Sequence, residues 1–380
     1  MRIKPMFSFI TLSLFFNVIR TDQYCKGPEC SDIQYIYPVA EINDDSLLVM
    51  RQRSLYDIEL LQWSKSNKEA HKVLWSIYMP SSVVLLPGKQ AFSFIDQGRI
   101  RIKYFNKRSP KTINIYEPIT TFDSIQWIDD ETFYFTAQDP HFHNVFVCEF
   151  HKNVASISRL TFQEESDFLY PQKVDDSLFA IKRDNNEQFT IVELLWQERA
   201  FENYKEVSEE TIIKNDKCCC FLQMTDKENG HFISYSPFKD EVNSTYTFYC
   251  NELTKKGSEW NQEELFSFEV HEKFITGKGS SRLYESIKPL LPRYEKCGIF
   301  FSHFNSDLQS CSLKKYNKAT KLISTVPSPR RRFVSLFTPL FSNGEAFCGM
   351  MIKTSRSALE KHRFNGEFQF DIYEIEDTSE

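Results

Sequence analysis

The sequence predicts an all-β protein, a single β-propeller of seven four-stranded blades. Three observations predict it. Short apolar segments with alternating polarity recur along the chain, each opened by a turn dipeptide. Most of them recur at a similar interval, about 42 to 53 residues, which is the length of a four-stranded blade. Aromatic residues make up 15% of the 380-residue chain, with 35 Phe and 17 Tyr, and such side chains suit a pleated, half-buried surface.

The turn dipeptides come first. They are Asp44-Asp45, Pro87-Gly88, Asp129-Asp130, Asp175-Asp176, Asn229-Gly230, Cys297-Gly298 and Asn343-Gly344, and most tolerate the backbone of a tight turn. A strongly apolar strand follows each: 46–52, 90–96, 132–138, 177–183, 231–237, 298–304 and 346–352. A second, alternating strand comes next at 57–63, 99–105, 144–150, 189–196, 244–250, 308–316 and 367–375. In 99–105, Ile100, Ile102 and Tyr104 face away from Arg101 and Lys103, the period of two that marks a sheet.

Segments before the turns also read as strands: 37–42, 81–87, 122–128, 168–174, 218–224, 287–292 and 337–342. Six units carry a fourth, at 72–77, 112–116, 156–160, 211–215, 265–270 and 322–326. The unit from Asn229 to Cys297 is longer, near 68 residues, and its excess is expected as a loop or insertion around 255–286. The seventh unit lacks a fourth strand. Ser31 to Ile36 is the candidate to supply it, by pairing with 367–375 and closing the ring. A radial array of this kind leaves only short strand edges exposed.

The N-terminus reads as an address. Met1 to Lys4 is basic, and Met6 to Ile19 is an apolar stretch of 14 residues, a length that suits a signal peptide and is short for a spanning helix. Residues 1–22 are therefore expected to be a leader, cleaved near 20–24 or retained as an anchor, and 23–380 the propeller. No other run is long and apolar enough to embed in a membrane. Cys25 and Cys30 flank Gly27-Pro28 and are close enough in sequence to form a disulfide. In Cys218-Cys219-Cys220 the side chains of a strand alternate faces, so the three cannot converge on one metal.

Net charge is -6 with a pI near 5.9, and the one dense basic run is Arg330-Arg331-Arg332 behind Lys314, Lys315, Lys318 and Lys321. No aromatic stacking pattern accompanies it, so nucleic acid is not the expected partner. Gly-x-Ser-x-Gly, Walker A, Gly-x-Gly-x-x-Gly and His-Glu-x-x-His are absent. His141-x-His143 can share a face, but no third ligand accompanies it, and no metal or other cofactor is expected. The recurring Asp pairs sit where turn chemistry places them. Asn243-Ser244-Thr245 is a sequon at the start of an expected strand.

The run from Ile157 to Asp184 resembles the repeat of TolB-type propellers, within the wider class that includes WD40-like repeats. Leu160, Thr161, Asp167, Pro171, Asp175, Asp176 and Phe179 carry the match. The resemblance extends over one unit, with echoes at Pro38 and Pro87-Gly88, and the Ser-Pro-Asp-Gly turn usual in the family is absent. It implies a propeller and a role in binding protein.

The expected function is that of an exported, periplasmic or extracellular, non-catalytic protein-interaction scaffold with a protein partner. Two other readings stand beside it. One is a glycan hydrolase or lyase whose dispersed carboxylates meet at the central channel. The other is a cytosolic scaffold with an apolar N-terminus.

Overall fold

A computed structural model describes residues 33–374, apart from 53–56, 68, 79–80, 97–98, 114–119, 140, 152–153, 163–164, 187, 199–204, 216, 273–290, 296–297, 305–310, 327–333, 336–339, 343–344, 349 and 354–370. The described residues form strands and turns, with no α-helix among them. No helix among them is long and apolar enough to cross a membrane.

The first blade holds β1 (Ile33–Asn43), β2 (Ser46–Gln52), β3 (Asp57–Ser64) and β4 (Glu69–Tyr78). The second holds β5 (Ser81–Leu85), β6 (Ala91–Asp96), β7 (Arg99–Tyr104) and β8 (Lys111–Thr112). The third holds β9 (Thr120–Trp127), β10 (Thr132–Asp139), β11 (Phe142–His151) and β12 (Val154–Arg159). The fourth holds β13 (Ser166–Val174), β14 (Ser177–Asp184), β15 (Phe189–Glu198) and β16 (Lys205–Asn215). The fifth holds β17 (Cys218–Met224), β18 (Asn229–Asp240), β19 (Thr245–Lys256) and β20 (Glu259–His271). The sixth holds β21 (Arg293–Glu295), β22 (Gly298–Phe304), β23 (Cys311–Asn317) and β24 (Leu322–Thr325). Each is an antiparallel meander in chain order. The first strands β1, β5, β9, β13 and β17 contact one another from blade to blade and so lie innermost.

These six sheets are the blades; the seventh expected from the repeat count does not form. Its strands are divided. β25 (Val334–Ser335) and β28 (Met350–Lys353) join the first blade, giving a six-stranded sheet in the order β25-β28-β1-β2-β3-β4. The others, β26 (Leu340–Ser342), β27 (Glu345–Cys348) and β29 (Asp371–Glu374), make a three-stranded sheet. The apolar run 346–352 reads as one strand, but the chain leaves one sheet at Cys348 and enters another at Met350. Residue 349, between them, lies outside the described residues.

The expected closing pair is corrected with it. Ile33–Ile36 pair with Met350–Lys353, whereas Asp371–Glu374 pair with β27. The N-terminal strand is also the inner strand of the first blade, where Ile36 lies opposite Arg51.

Two further expectations change. The excess of the fifth unit is partly strand: β19 and β20 are 12 and 13 residues long and meet at the Gly257-Ser258 turn, while 273–290 lie outside the described residues. Asn229-Gly230 opens β18 and is not the turn, which falls at 225–228 and is held by Asp226. Of the expected strand 287–292, the two described residues precede β21 and are not strand. Asn343-Gly344 lies outside the described residues.

One repeat feature is visible only in three dimensions. In five blades the pairing of the inner strand with its neighbour slips at a corresponding place: Pro38/Ala40, Ser81/Val84, Asp123/Gln126, Leu169/Gln172 and Cys219/Phe221. Ser82, Ser124 and Tyr170 take positive φ at three of these slips. Bulges of this kind bend a strand and raise its twist. Here they fall at equivalent places in five blades, on the strands crowded closest to the axis.

The core lies between blades. Ile42, Leu48, Met50 and Leu60 meet Val83, Phe92 and Phe94. Leu86, Ile100 and Ile102 meet Trp127, Phe133 and Phe135. Tyr134, Val145 and Val147 meet Phe168, Leu178 and Val192. Tyr170, Phe179 and Ile191 meet Cys219, Leu222 and Phe232. Cys220, Phe248 and Phe266 meet Ile299, Phe301 and Tyr316. Of the eleven largest fully buried side chains among the described residues, all but Trp63 are Phe, so the composition that predicted strands also fills the seams. Each such ring contributes about 1.5–3 kcal/mol by leaving water.

Candidate functional site

Polar groups tie the inner ends of the blades together. Ser82 Oγ accepts the Ile125 N–H at 2.9 Å, and Trp127 Nε1 donates to Ser93 Oγ at 2.8 Å, both between the second and third blades. Gln126 Oε1 accepts the Lys173 N–H at 2.7 Å between the third and fourth. At the turns, Asp130 Oδ1 accepts the Gly88 N–H at 2.7 Å, and Asp45 accepts from the Ser64 hydroxyl and the Ser66 N–H. The repeated aspartates thus serve the turns and the joints between blades.

At the opposite end, where the second strand of each blade turns into the third, carboxylates meet arginines. Arg51 pairs with Glu59, Arg101 with Asp96 at 3.1 Å, and Arg183 with Asp167. The Asp167 cluster spans two blades. Its Oδ1 accepts the His143 N–H at 2.7 Å and lies 3.2 Å from His143 Nδ1, and its Oδ2 accepts from Arg183 Nε at 3.0 Å. Burial pushes the Asp167 carboxyl up, but bonds from His143 and then Arg183 outweigh it and hold the group at about 2. Asp167 is therefore an ionised clamp. His143 Nε2 is buried, so the imidazole presents no nitrogen to solvent.

Sequence reasoning singled out both Asp167 and His143, from different motifs, and the fold brings them together. His141 stands apart and exposed. Among the described residues no three His, Cys, Asp or Glu side chains are grouped to hold a metal.

The cysteine triplet behaves as strand alternation dictates, with Cys219 in one inter-blade core and Cys220 in the next. Burial raises both thiols well above their ordinary value, and raises Cys148 and Cys250 to about 12. Cys250 Sγ lies 2.6 Å from Tyr294 Oη, and Tyr294 stacks on His231 with centroids 3.8 Å apart. Met6, Ile19, Cys25, Cys30 and Ser31 lie outside the described residues.

The basic run splits in the same way. Lys318 pairs with Glu252 at 2.6 Å and Lys321 with Glu263 at 2.7 Å, joining the sixth blade to the long hairpin of the fifth. Lys314 donates to Thr325 at 2.7 Å. Arg330 to Arg332 lie outside the described residues.

One exposed strand edge escaped the sequence reading. β24 is the outer strand of the sixth blade, paired on one side with β23, and all four of its residues are exposed. Leu322 is 67% exposed and Ile323 49%. An outer strand presents unpaired backbone groups along its free side, and a partner strand can add to them.

The fold and these joints define an all-β propeller. No protein-family model and no curated protein matches the sequence. Among solved structures, the chain resembles a puromycin-hydrolysing peptidase of Mycobacterium tuberculosis, with a TM-score of 0.55 at 9% identity over 87% of this chain and 49% of that one. TolB from Acinetobacter baumannii aligns with a TM-score of 0.47 at 9% identity, over 80% of this chain and 66% of that one. An acylaminoacyl peptidase from Pyrococcus horikoshii aligns with a TM-score of 0.46 at 10% identity, over 83% and 49%. The chain spans about half the length of the two peptidases, and at this identity the likeness is one of fold.

Proposed function

We propose that the chain is an exported propeller that binds a protein partner, docking it by strand addition on β24. The observation that carries the reading is the edge itself: four exposed residues with two large apolar side chains at the rim of a blade. Main-chain bonds along such an edge give affinity, and alternating side chains give specificity. Export rests on the basic and apolar leader and fits the TolB-like fold.

A glycan hydrolase needs one carboxyl held protonated to act as acid. Asp167 is held the other way, at about 2, and Glu59 and Asp96 are likewise committed to arginines. Asp167, ionised and paired, does not supply that acid.

The test is a pull-down with the mature chain, comparing wild type with Ile323→Lys and Leu322→Lys at matched circular dichroism. A partner that binds the wild type and is lost from both edge variants supports docking on β24. Retention of the same partner by both variants overturns it.

A further inference from the structure

The sequence contains one Asn-x-Ser/Thr triplet, Asn243-Ser244-Thr245. The fold places it at the tip of the β18–β19 hairpin, in the four-residue turn 241–244, rather than inside a strand. Asp240 organises this turn: its Oδ1 accepts the Val242 N–H at 2.9 Å and its Oδ2 accepts from Asn243 Nδ2 at 2.9 Å. Asn243 is exposed. Its amide nitrogen carries two hydrogens, and the bond to Asp240 uses one.

Two features of the hairpin have no use in the packing of the blade. Thr245 Oγ1 is buried and makes no hydrogen bond among the described residues, where a methyl group in its place would leave no polar atom unsatisfied. Phe238 is 82% exposed and Val242 91%, on the same hairpin tip. A hydroxyl two residues after the asparagine is what the sequon requires. Apolar side chains beside it gain cover once an oligosaccharide is attached.

We infer that Asn243 is an N-glycosylation acceptor, its oligosaccharide seated over Phe238 and Val242. The donor class is a lipid-pyrophosphate-linked oligosaccharide. The Nδ2–C1 bond forms, the bond from C1 to the pyrophosphate oxygen breaks, the lipid pyrophosphate leaves, and the amide proton passes to base. The remaining Nδ2–H keeps the bond to Asp240. This inference rests on export into a secretory lumen, and the experiment separates the two.

The full chain is expressed in a eukaryotic cell twice, once with its own N-terminus and once with residues 1–22 replaced by an established secretory leader. Gel mobility before and after peptide N-glycosidase, and the mass of the peptide containing residue 243, are read. One glycan is expected, lost in Asn243→Gln and Thr245→Ala and kept in Ser244→Ala. Modification in the leader-replaced chain alone leaves the acceptor standing and overturns export by the native N-terminus. Secreted protein with unmodified Asn243 from either chain overturns the acceptor.

Discussion

Acid should loosen the joint between the fifth and sixth blades through His231. The residue is 5% exposed, its ring is stacked on Tyr294, and its Nδ1 is buried without a hydrogen-bond partner among the described residues. Burial first, and the Lys318 ammonium second, lower its pKa from 6.5 to about 3. In the unfolded chain the imidazole takes up a proton below pH ~6.5, while in the folded protein it stays neutral down to about 3. Between those values the unfolded state binds the extra proton, so stability falls as pH falls. A full proton of difference costs about 1.4 kcal/mol per pH unit, and the unfolded imidazole is half protonated at about pH 6.5, so lowering pH from about 6.5 to about 4.5 should remove about 2.3 kcal/mol through this one group. The perturbation is His231→Phe, which keeps a flat ring against Tyr294 and does not titrate. Urea unfolding followed by Trp fluorescence at the two pH values, for both proteins, isolates the contribution. The wild type should lose about 2.3 kcal/mol more than the variant. At neutral pH the variant should match or exceed the wild type, because the buried unpaired nitrogen is gone. Equal losses in the two proteins would show that the ring is hydrated or protonated in the native state, and the reasoning would fail.

Three further outcomes follow from the structure. Asp167→Asn should cost about 3 kcal/mol in urea unfolding, because it strands the Arg183 guanidinium, and Asp167→Asn with Arg183→Met should recover part of that; a single variant as stable as wild type would remove Asp167 from its role as a clamp. In the wild type, the same carboxylate gives stability present above about pH 4 and lost as pH falls toward about 2. Gly298 has φ +146, and a Cβ there would sit 2.6 Å from the Tyr316 carbonyl oxygen, whereas Gly257 at φ +66 faces open space. Gly298→Ala should therefore lower the melting temperature well beyond Gly257→Ala, whose cost is about 1 kcal/mol; equal shifts would contradict the close approach.

What the sequence made legible was whatever local alternation encodes. The strands 46–52 and 298–304 are found at their expected bounds, because SLLVMRQ and GIFFSHF carry unbroken β-forming runs between clear turns. What it hid was pairing between distant strands. Nothing in AFCGMMI announces that Ala346 pairs with Tyr373 while Met350 pairs with Ile36. Counting repeats gives the number of strand sets, and only long-range pairing decides whether the last set becomes a blade. The Asp167 cluster was half legible: its two ends stood in separate motifs, and Arg183 looked like any polar residue of an alternating strand. The β24 edge was illegible because Leu322 and Ile323 read as interior residues of a fourth strand.

The scarcity of glycine, 11 in 380 residues, has a structural counterpart in the turns. Among the described residues an Asx side chain six times accepts the backbone N–H two residues on: Asn43 from Asp45, Asp129 from Glu131, Asp184 from Asn186, Asp226 from Glu228, Asp240 from Val242, and Asn317 from Ala319. An Asx turn replaces a backbone bond with a side-chain one, and so reverses the chain without a glycine. Asp175, Ser244 and Lys321 go further and take positive φ in turns themselves, and Asn and Asp tolerate that region better than most residues. This is why Asp-Asp can stand where related repeats use Asp-Gly. The same carboxylates then become available to neighbours, as Asp130 does for Gly88 and Asp45 for Ser64. A turn built on glycine offers no side chain for such a joint. The aspartates paired along the sequence are thus turn-formers, as turn chemistry predicts, and their spare oxygens, at Asp130, fasten one blade to the next.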